Sequence, residues 1–256
     1  IGIQALESTT SAENTAVGSS AGFSLTNVSG GVFIGRHAGL YATTAANSTF
    51  VGHNAGQGIT GTKLTGDGNT AIGKDAGLVL QGGAANNTFL GQGAGLAITT
   101  GDANVYIGRK AGFTGTTARL NTFVGDEAGG LSTGAQNAFF GNDSGYAMTT
   151  GGKNTIIGSF SGNQNNLDYR AESNNIVLSD GDGNPKFFSR STGSTNGTWF
   201  ASNMTAESYW PIVGTADGQN ACSMNNSEGQ LGATTNASTA LYLNRNNDDG
   251  DLVQFY

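Results

Sequence analysis

The sequence predicts an all-β chain, a β-solenoid or β-roll of ~17-residue repeats followed by a small β-rich C-terminal module. Three observations carry this. Glycine recurs at Gly18, Gly35, Gly52, Gly73, Gly91, Gly108, Gly125, Gly141 and Gly158, in steps of 17, 17, 21, 18, 17, 17, 16 and 17 residues. A second glycine stands four residues after each (Gly22, Gly39, Gly56, Gly77, Gly95, Gly112, Gly129, Gly145, Gly162), preceded only by alanine or serine. Beyond Asp180 the period is lost, and short apolar runs alternate with Gly, Ser, Thr and Asn, as in a hairpin-rich β domain.

A fixed period implies stacked units that cannot bury a core singly. The unit is too short for a helix pair, which takes roughly 33 residues or more. It suffices for one coil of two short strands and two turns. Two apolar residues precede each first glycine, as in Phe33-Ile34, Phe50-Val51, Phe89-Leu90, Tyr106-Ile107 and Ile156-Ile157, and suit a short strand. The expectation is that this pair points inward, or toward an axis shared by several copies, at least in part. Four residues before the glycine stands Asn14, Asn69, Asn87, Asn104, Asn121, Asn137 or Asn154, with Gly31 and Ser48 as departures. Asparagine at one place in every coil is expected to stack as a ladder or to hold an Asx-turn.

In chain order, residues 1–13 are a lead-in whose apolar residues suit a preceding coil, and 14–179 are the repeat domain. Insertions at about Ile59 to Gly68 and Gly82 to Ala85 read as loops on one edge of the stack. A degenerate tenth copy, Asn174-Asn175-Ile176-Val177-Leu178-Ser179, has Ser179 in place of the glycine. Residues 180–256 form the C-terminal module, which holds both tryptophans and whose core is thin for a lone monomer.

Composition narrows the function. A net charge of −7 disfavours a phosphate-backbone partner. The single cysteine, Cys222, allows no internal disulfide framework. No run approaches 18 apolar residues, so no membrane insertion is expected. The first residues carry neither a basic leader nor a Met and read as those of a fragment.

The phrase Asn-Thr-x-x-Gly-x-x-Ala-Gly, seen most cleanly at Asn121 to Gly129, resembles the repeats of bacteriophage long tail fibres and, more distantly, the β-roll head of trimeric autotransporter adhesins. Residues Asn174 to Asn184 are similar to the segment that follows such repeats. The ending from Leu241 to Phe255 resembles the element just upstream of the C-terminal intramolecular chaperone of fibres and tailspikes. No chaperone is present, so the resemblance implies that it was removed by self-cleavage or that the sequence is truncated. The resemblance further implies a structural virion protein, extracellular, homotrimeric, joined to other tail or fibre proteins, and taking part in attachment to a host glycan or protein receptor without catalysis. A trimer also suits the composition, because a coil with few large side chains leaves a flat apolar face to be covered by other copies. The alternatives are a bacterial trimeric adhesin and a tailspike-type glycan hydrolase.

Candidates for chemistry are sparse, and neither cofactor nor catalytic group is assigned. His37 and His53 occupy different places in their copies and form no column of ligands. Asp180, Asp182 and Asn184 imitate the start of a calcium loop, but Pro185 stands where the turn glycine is required, so a plain turn is expected. Asp248, Asp249 and Asp251 read as a second acidic turn. Asp126, Glu127, Asp143, Glu172, Glu207 and Glu228 suggest no facing pair of the kind glycan hydrolysis requires. For glycan binding the candidates are Trp199, Phe200, Tyr209 and Trp210, since aromatic faces stack on sugar C–H surfaces. The alternative for these four is the core of a trimeric module.

Overall fold

The computed structural model describes residues 2–10 and 12–192, together with five further strands, and side chains as far as Ser189. Its described elements are strands and turns only. Nine three-residue strands, β1 (Thr15–Val17), β2 (Val32–Ile34), β3 (Thr49–Val51), β4 (Thr70–Ile72), β5 (Thr88–Leu90), β6 (Val105–Ile107), β7 (Thr122–Val124), β8 (Ala138–Phe140) and β9 (Thr155–Ile157), pair in parallel, each with the next. The register never slips: Phe33 lies beside Phe50, Tyr106 beside Phe123, and Phe139 beside Ile156. After the short hairpin of β10 (Asn163–Gln164) and β11 (Leu167–Asp168), strand β12 (Ile176–Ser179) pairs in parallel with β9. Copies one to ten therefore form one β-solenoid.

Strand β12 also pairs antiparallel with β13 (Pro185–Thr192). The sheet then runs on as an antiparallel meander through β14 (Thr195–Phe200), β15 (Trp210–Ala216), β16 (Gln219–Asn226), β17 (Gly229–Thr234) and β18 (Tyr242–Asn244). Residues 2–6 stack beneath the first copy as part of a further coil. Ser20 N–H donates to Ile3 C=O at 2.8 Å, and Gln4 and Leu6 take the positive φ values of the corresponding turn positions.

The second flank of each coil differs from expectation. It is bonded coil to coil, as in Gly39 N–H to Ala55 C=O (3.0 Å) and Tyr41 N–H to Gln57 C=O (2.8 Å), yet it is a series of turns and not a strand. The reason is dihedral. The residue two places after the first glycine is left-handed in His37, Asn54, Asp75, Lys110, Glu127 and Asp143, and so is the second glycine, which leaves no extended run. The first glycines occupy a region near φ +135°, as at Gly73 and Gly91. A Cβ built on Gly73 would fall 2.6 Å from the carbonyl oxygen of Gly91 in the next coil, so close stacking as well as φ requires glycine.

The apolar pair divides. Phe33, Phe50, Ala71, Phe89, Tyr106, Phe123, Phe139, Ile156 and Val177 are buried, while the next residue in the same strand faces outward. Strand alternation makes this unavoidable. Inside, Phe89, Tyr106, Phe123 and Phe139 stack ring on ring at 5.3, 4.8 and 4.8 Å, against the buried alanine column before the second glycine. The second glycine lies under the ring: a Cβ on Gly95 would sit 2.7 Å from Phe89. The column is smallest at Ala71, where Leu64 and Leu80 join the same core. Leu64 belongs to the first insertion. That insertion is not simply a loop at the edge, since Leu64 is fully buried and bridges Ala42 and Gly82 in the stack. Ala84 of the second insertion is buried too, so both insertions supply apolar volume to the core.

Asparagine forms a ladder. Asn69 Oδ1 accepts the N–H of Asn87 (3.1 Å), Asn87 Oδ1 that of Asn104 (3.1 Å), and the pattern repeats through Asn121, Asn137 and Asn154 to Asn175. From Asn69 to Asn154 each Nδ2 also donates to a loop carbonyl, for example Asn87 to Gly101 at 2.9 Å and Asn137 to Gly151 at 2.9 Å. These side chains are almost fully buried, and the ladder satisfies their polar atoms. Ser48 keeps the pattern by accepting from Asn69 N–H at 3.2 Å. At Gly31 a side chain would collide with the Phe33 ring.

Candidate functional site

The outward half of the strands makes a continuous surface feature along the stack. Two columns run the length of the stack: Val17, Ile34, Val51, Ile72, Leu90, Ile107, Val124, Phe140, Ile157 and Leu178, and beside them Thr15, Val32, Thr49, Thr70, Thr88, Val105, Thr122, Ala138, Thr155 and Ile176. Neither column contains a charge, a glycine or a proline. Val17, Leu90, Ile157 and Ile176 are 46%, 43%, 47% and 44% exposed. At roughly 4.8 Å per layer the ten strands make a face about 43 Å long. With a width of about 10 Å it covers some 400 Å², within the range of the largest apolar patches on single chains and often functional.

Charged residues flank this face on both sides. On the margin after the glycine, Arg109 Nη2 meets Asp126 Oδ2 at 2.6 Å and its Nη1 meets Glu127 Oε1 at 3.0 Å, with Lys110 Nζ 3.3 Å from Glu127. Asp126 and Glu127 are therefore bound into an ion-pair cluster along the stack and do not flank an open cleft. On the margin before the asparagine, Arg119 pairs with Asp102 of the preceding coil at 3.2 Å.

His37 and His53 occupy adjacent coils with ring centroids 6.5 Å apart. Arg36 Nη1 lies 3.0 Å from His53 Nε2. Burial, and then the Arg36 charge, lowers the His37 pKa. Among the described residues no group of three or more His, Cys, Asp or Glu is placed to hold a metal ion. Asp180 Oδ1 accepts the backbone N–H of Asp182 (3.1 Å) and of Asn184 (2.8 Å), and its Oδ2 meets Lys186 Nζ at 3.1 Å. The hydrogen bonds from Asn184 and the Lys186 charge lower its pKa to about 2. These bonds close the turn between β12 and β13. A shallow depression beside the β10–β11 hairpin is lined by Thr149, Asp168, Arg170, Ala171 and Glu172, and Arg170 engages Asp168 through both Nε (3.0 Å) and Nη2 (2.7 Å).

Of the aromatic candidates, Trp199 and Phe200 fall in β14 and Trp210 opens β15. Register sets Phe187, Phe200 and Trp210 in one row across three strands, and Phe188, Trp199 and Pro211 in the next. Their side chains from Arg190 onward, Tyr209 as a whole, Glu207, Glu228 and the acidic turn at Asp248, Asp249 and Asp251 lie outside the described residues. Cys222 falls in β16, opposite Ala233.

Sequence reasoning expected a flat apolar face on each coil but did not tell which residue of the apolar pair lines it and which enters the core. The signal was available, since two successive residues of one strand cannot both face the core. Among the described residues no helix is long and apolar enough to cross a membrane. No family profile, curated protein or solved structure matches the chain.

Proposed function

We propose that this chain is a structural, non-catalytic segment of a virion tail fibre that takes part in host attachment, and that it works as a homotrimer. The observation that carries the proposal is the uncharged outer face, which extends unbroken over ten parallel strands. Such a face is stable in water when other copies cover it. A cyclic arrangement about the stacking direction does so with every copy equivalent. The resulting object is a stiff rod, because each coil is bonded to its neighbours on both flanks and through a buried asparagine ladder. A rod of this kind suits transmission of position from a particle to a cell surface. The Asn-Thr-x-x-Gly-x-x-Ala-Gly phrase supports the same reading by its resemblance to fibre repeats. Contact with a host glycan or protein is assigned to the aromatic rows of the C-terminal module.

The test is gold labelling of virions and host cells with antibodies raised against the assembled protein. Label on thin appendages of the particle supports the proposal. Label confined to the bacterial envelope favours the adhesin, and release of reducing ends from host polysaccharide favours the hydrolase. Either result contradicts the fibre reading.

A further inference from the structure

We propose that copies of this chain pack through the outer face in parallel and in register, with alignment set by opposite charges on its two margins. The proposal rests on the homo-oligomeric reading above and adds its polarity and register.

The margins are the position one residue after the first glycine and the position six residues before it, at opposite ends of each strand's outer surface. Three coils carry a charge at both, and in all three the signs are opposite: Asp67 and Lys74, Asp102 and Arg109, Arg119 and Asp126. Seven residues and the width of the sheet separate the members of each set. Inside the chain the charges pair along the stack instead, Arg109 with Asp126 and Asp102 with Arg119. They remain available laterally: Arg109 is 47%, Asp126 40%, Arg119 59% and Lys74 60% exposed at the side chain. The charges are thus opposite in sign across the face in all three coils, and down the stack between the Gly108 and Gly125 coils.

Rotation about the stacking direction brings the trailing margin of one copy against the leading margin of the next at the same level. In register, Lys74 then meets Asp67, Arg109 meets Asp102, and Asp126 meets Arg119. A slip of one coil in one direction sets Arg109 against Arg119, and in the other Asp126 against Asp102, so both neighbouring registers oppose like charges. An antiparallel arrangement centred between the Gly108 and Gly125 coils satisfies the second and third sets. It faces Lys74 with Ser159 and Asp67 with Gly152, and it leaves the outer face of the first coils uncovered. Only the parallel, in-register arrangement matches all three sets and covers the whole face. Arg36 has no acidic counterpart at its level, where Ser29 occupies the opposite margin. The apolar columns supply attraction with little register, since threonine or β-branched residues recur at every level but that of Ala138 and Phe140. The charges supply what the columns lack.

The decisive variant exchanges one margin, Asp102→Arg with Arg119→Asp. It keeps the pair within the chain and the net charge, and it sets like charges against each other only between copies. The expected result is association weakened at least about tenfold in sedimentation velocity. Adding Arg109→Asp with Asp126→Arg, which exchanges the other margin, restores it to within about threefold. In a Cys222→Ser background, nitroxide labels at Thr15→Cys and, separately, at Thr155→Cys are expected to give short and similar distances between copies at both sites. Unchanged association in the exchanged variant overturns the proposal. So do long and unequal same-site distances: the antiparallel arrangement above gives about 53 Å at Thr15 and about 24 Å at Thr155, at ~4.8 Å per layer. A folded single chain would instead overturn the homo-oligomer itself.

Discussion

The hydroxyl of Tyr106 donates to Oδ1 of Asn104 at 3.2 Å, inside the core and within one coil. The same oxygen accepts the N–H of Asn121 at 3.1 Å, and Asn104 Nδ2 donates to Ala118 C=O at 2.8 Å. Asn104 is thus a junction of the ladder, whereas Tyr106 adds one bond to a ring already fixed by stacking. Asn104→Ala is expected to destabilise by about 2–4 kcal/mol, since it leaves buried backbone partners unsatisfied. Tyr106→Phe keeps the stack and is expected to cost about 1 kcal/mol. Denaturant unfolding at fixed protein concentration measures both, and equal effects would count against the ladder.

The glycine column yields a sharper contrast. Gly91→Ala combines φ +133° with a Cβ 2.6 Å from the carbonyl carbon of Gly108, and is expected to cost more than about 4 kcal/mol or to abolish folding. Gly83→Ala meets nothing within 4 Å and has no positive φ, so a change within about 0.5 kcal/mol is expected. Thermal melts of the two variants decide.

Legibility of the sequence followed the strength of each local constraint. The period, the asparagine ladder and the tenth copy at Ser179 were readable because glycine and asparagine at fixed spacing answer to backbone geometry that other residues do not share. The second flank was not readable as turns, because left-handed residues there are as varied as His37, Lys110 and Glu127, with no common side chain. Leu64 was hidden for the opposite reason: it sits among Gly, Thr and Lys that read as a surface loop. The charge margins became visible only once Asp67 and Lys74, seven residues apart, were placed at opposite ends of one strand.

Asp180 supplies a pH-dependent element at the junction of solenoid and meander. Its folded pKa, about 2, lies below the ordinary value of 3.8, so its contribution to the turn is fully present above the ordinary value and is lost as pH falls through about 2. The carboxyl carbon of Asp180 is expected to titrate near pH 2 by NMR. Asp180→Ala should raise amide exchange at Phe187 and Phe188, which β12 pairs with, and leave Tyr106 and Phe123 protected. An ordinary carboxylate titration would contradict this.

Receptor contact by the aromatic rows predicts that Trp199→Ala and Trp210→Ala reduce competition for host adsorption by an order of magnitude, by analogy with anchor residues at interfaces, without changing the number of chains in the assembly. Loss of assembly in either variant would assign these residues to the core of the module instead.

Sedimentation equilibrium over a wide concentration range tests most directly whether copies of the chain cover the outer face. The expected mass is three times the 25.9 kDa of one chain, with folded signal lost on dilution together with the assembly and no folded single chain at any concentration. A stable, folded species of 25.9 kDa would contradict it.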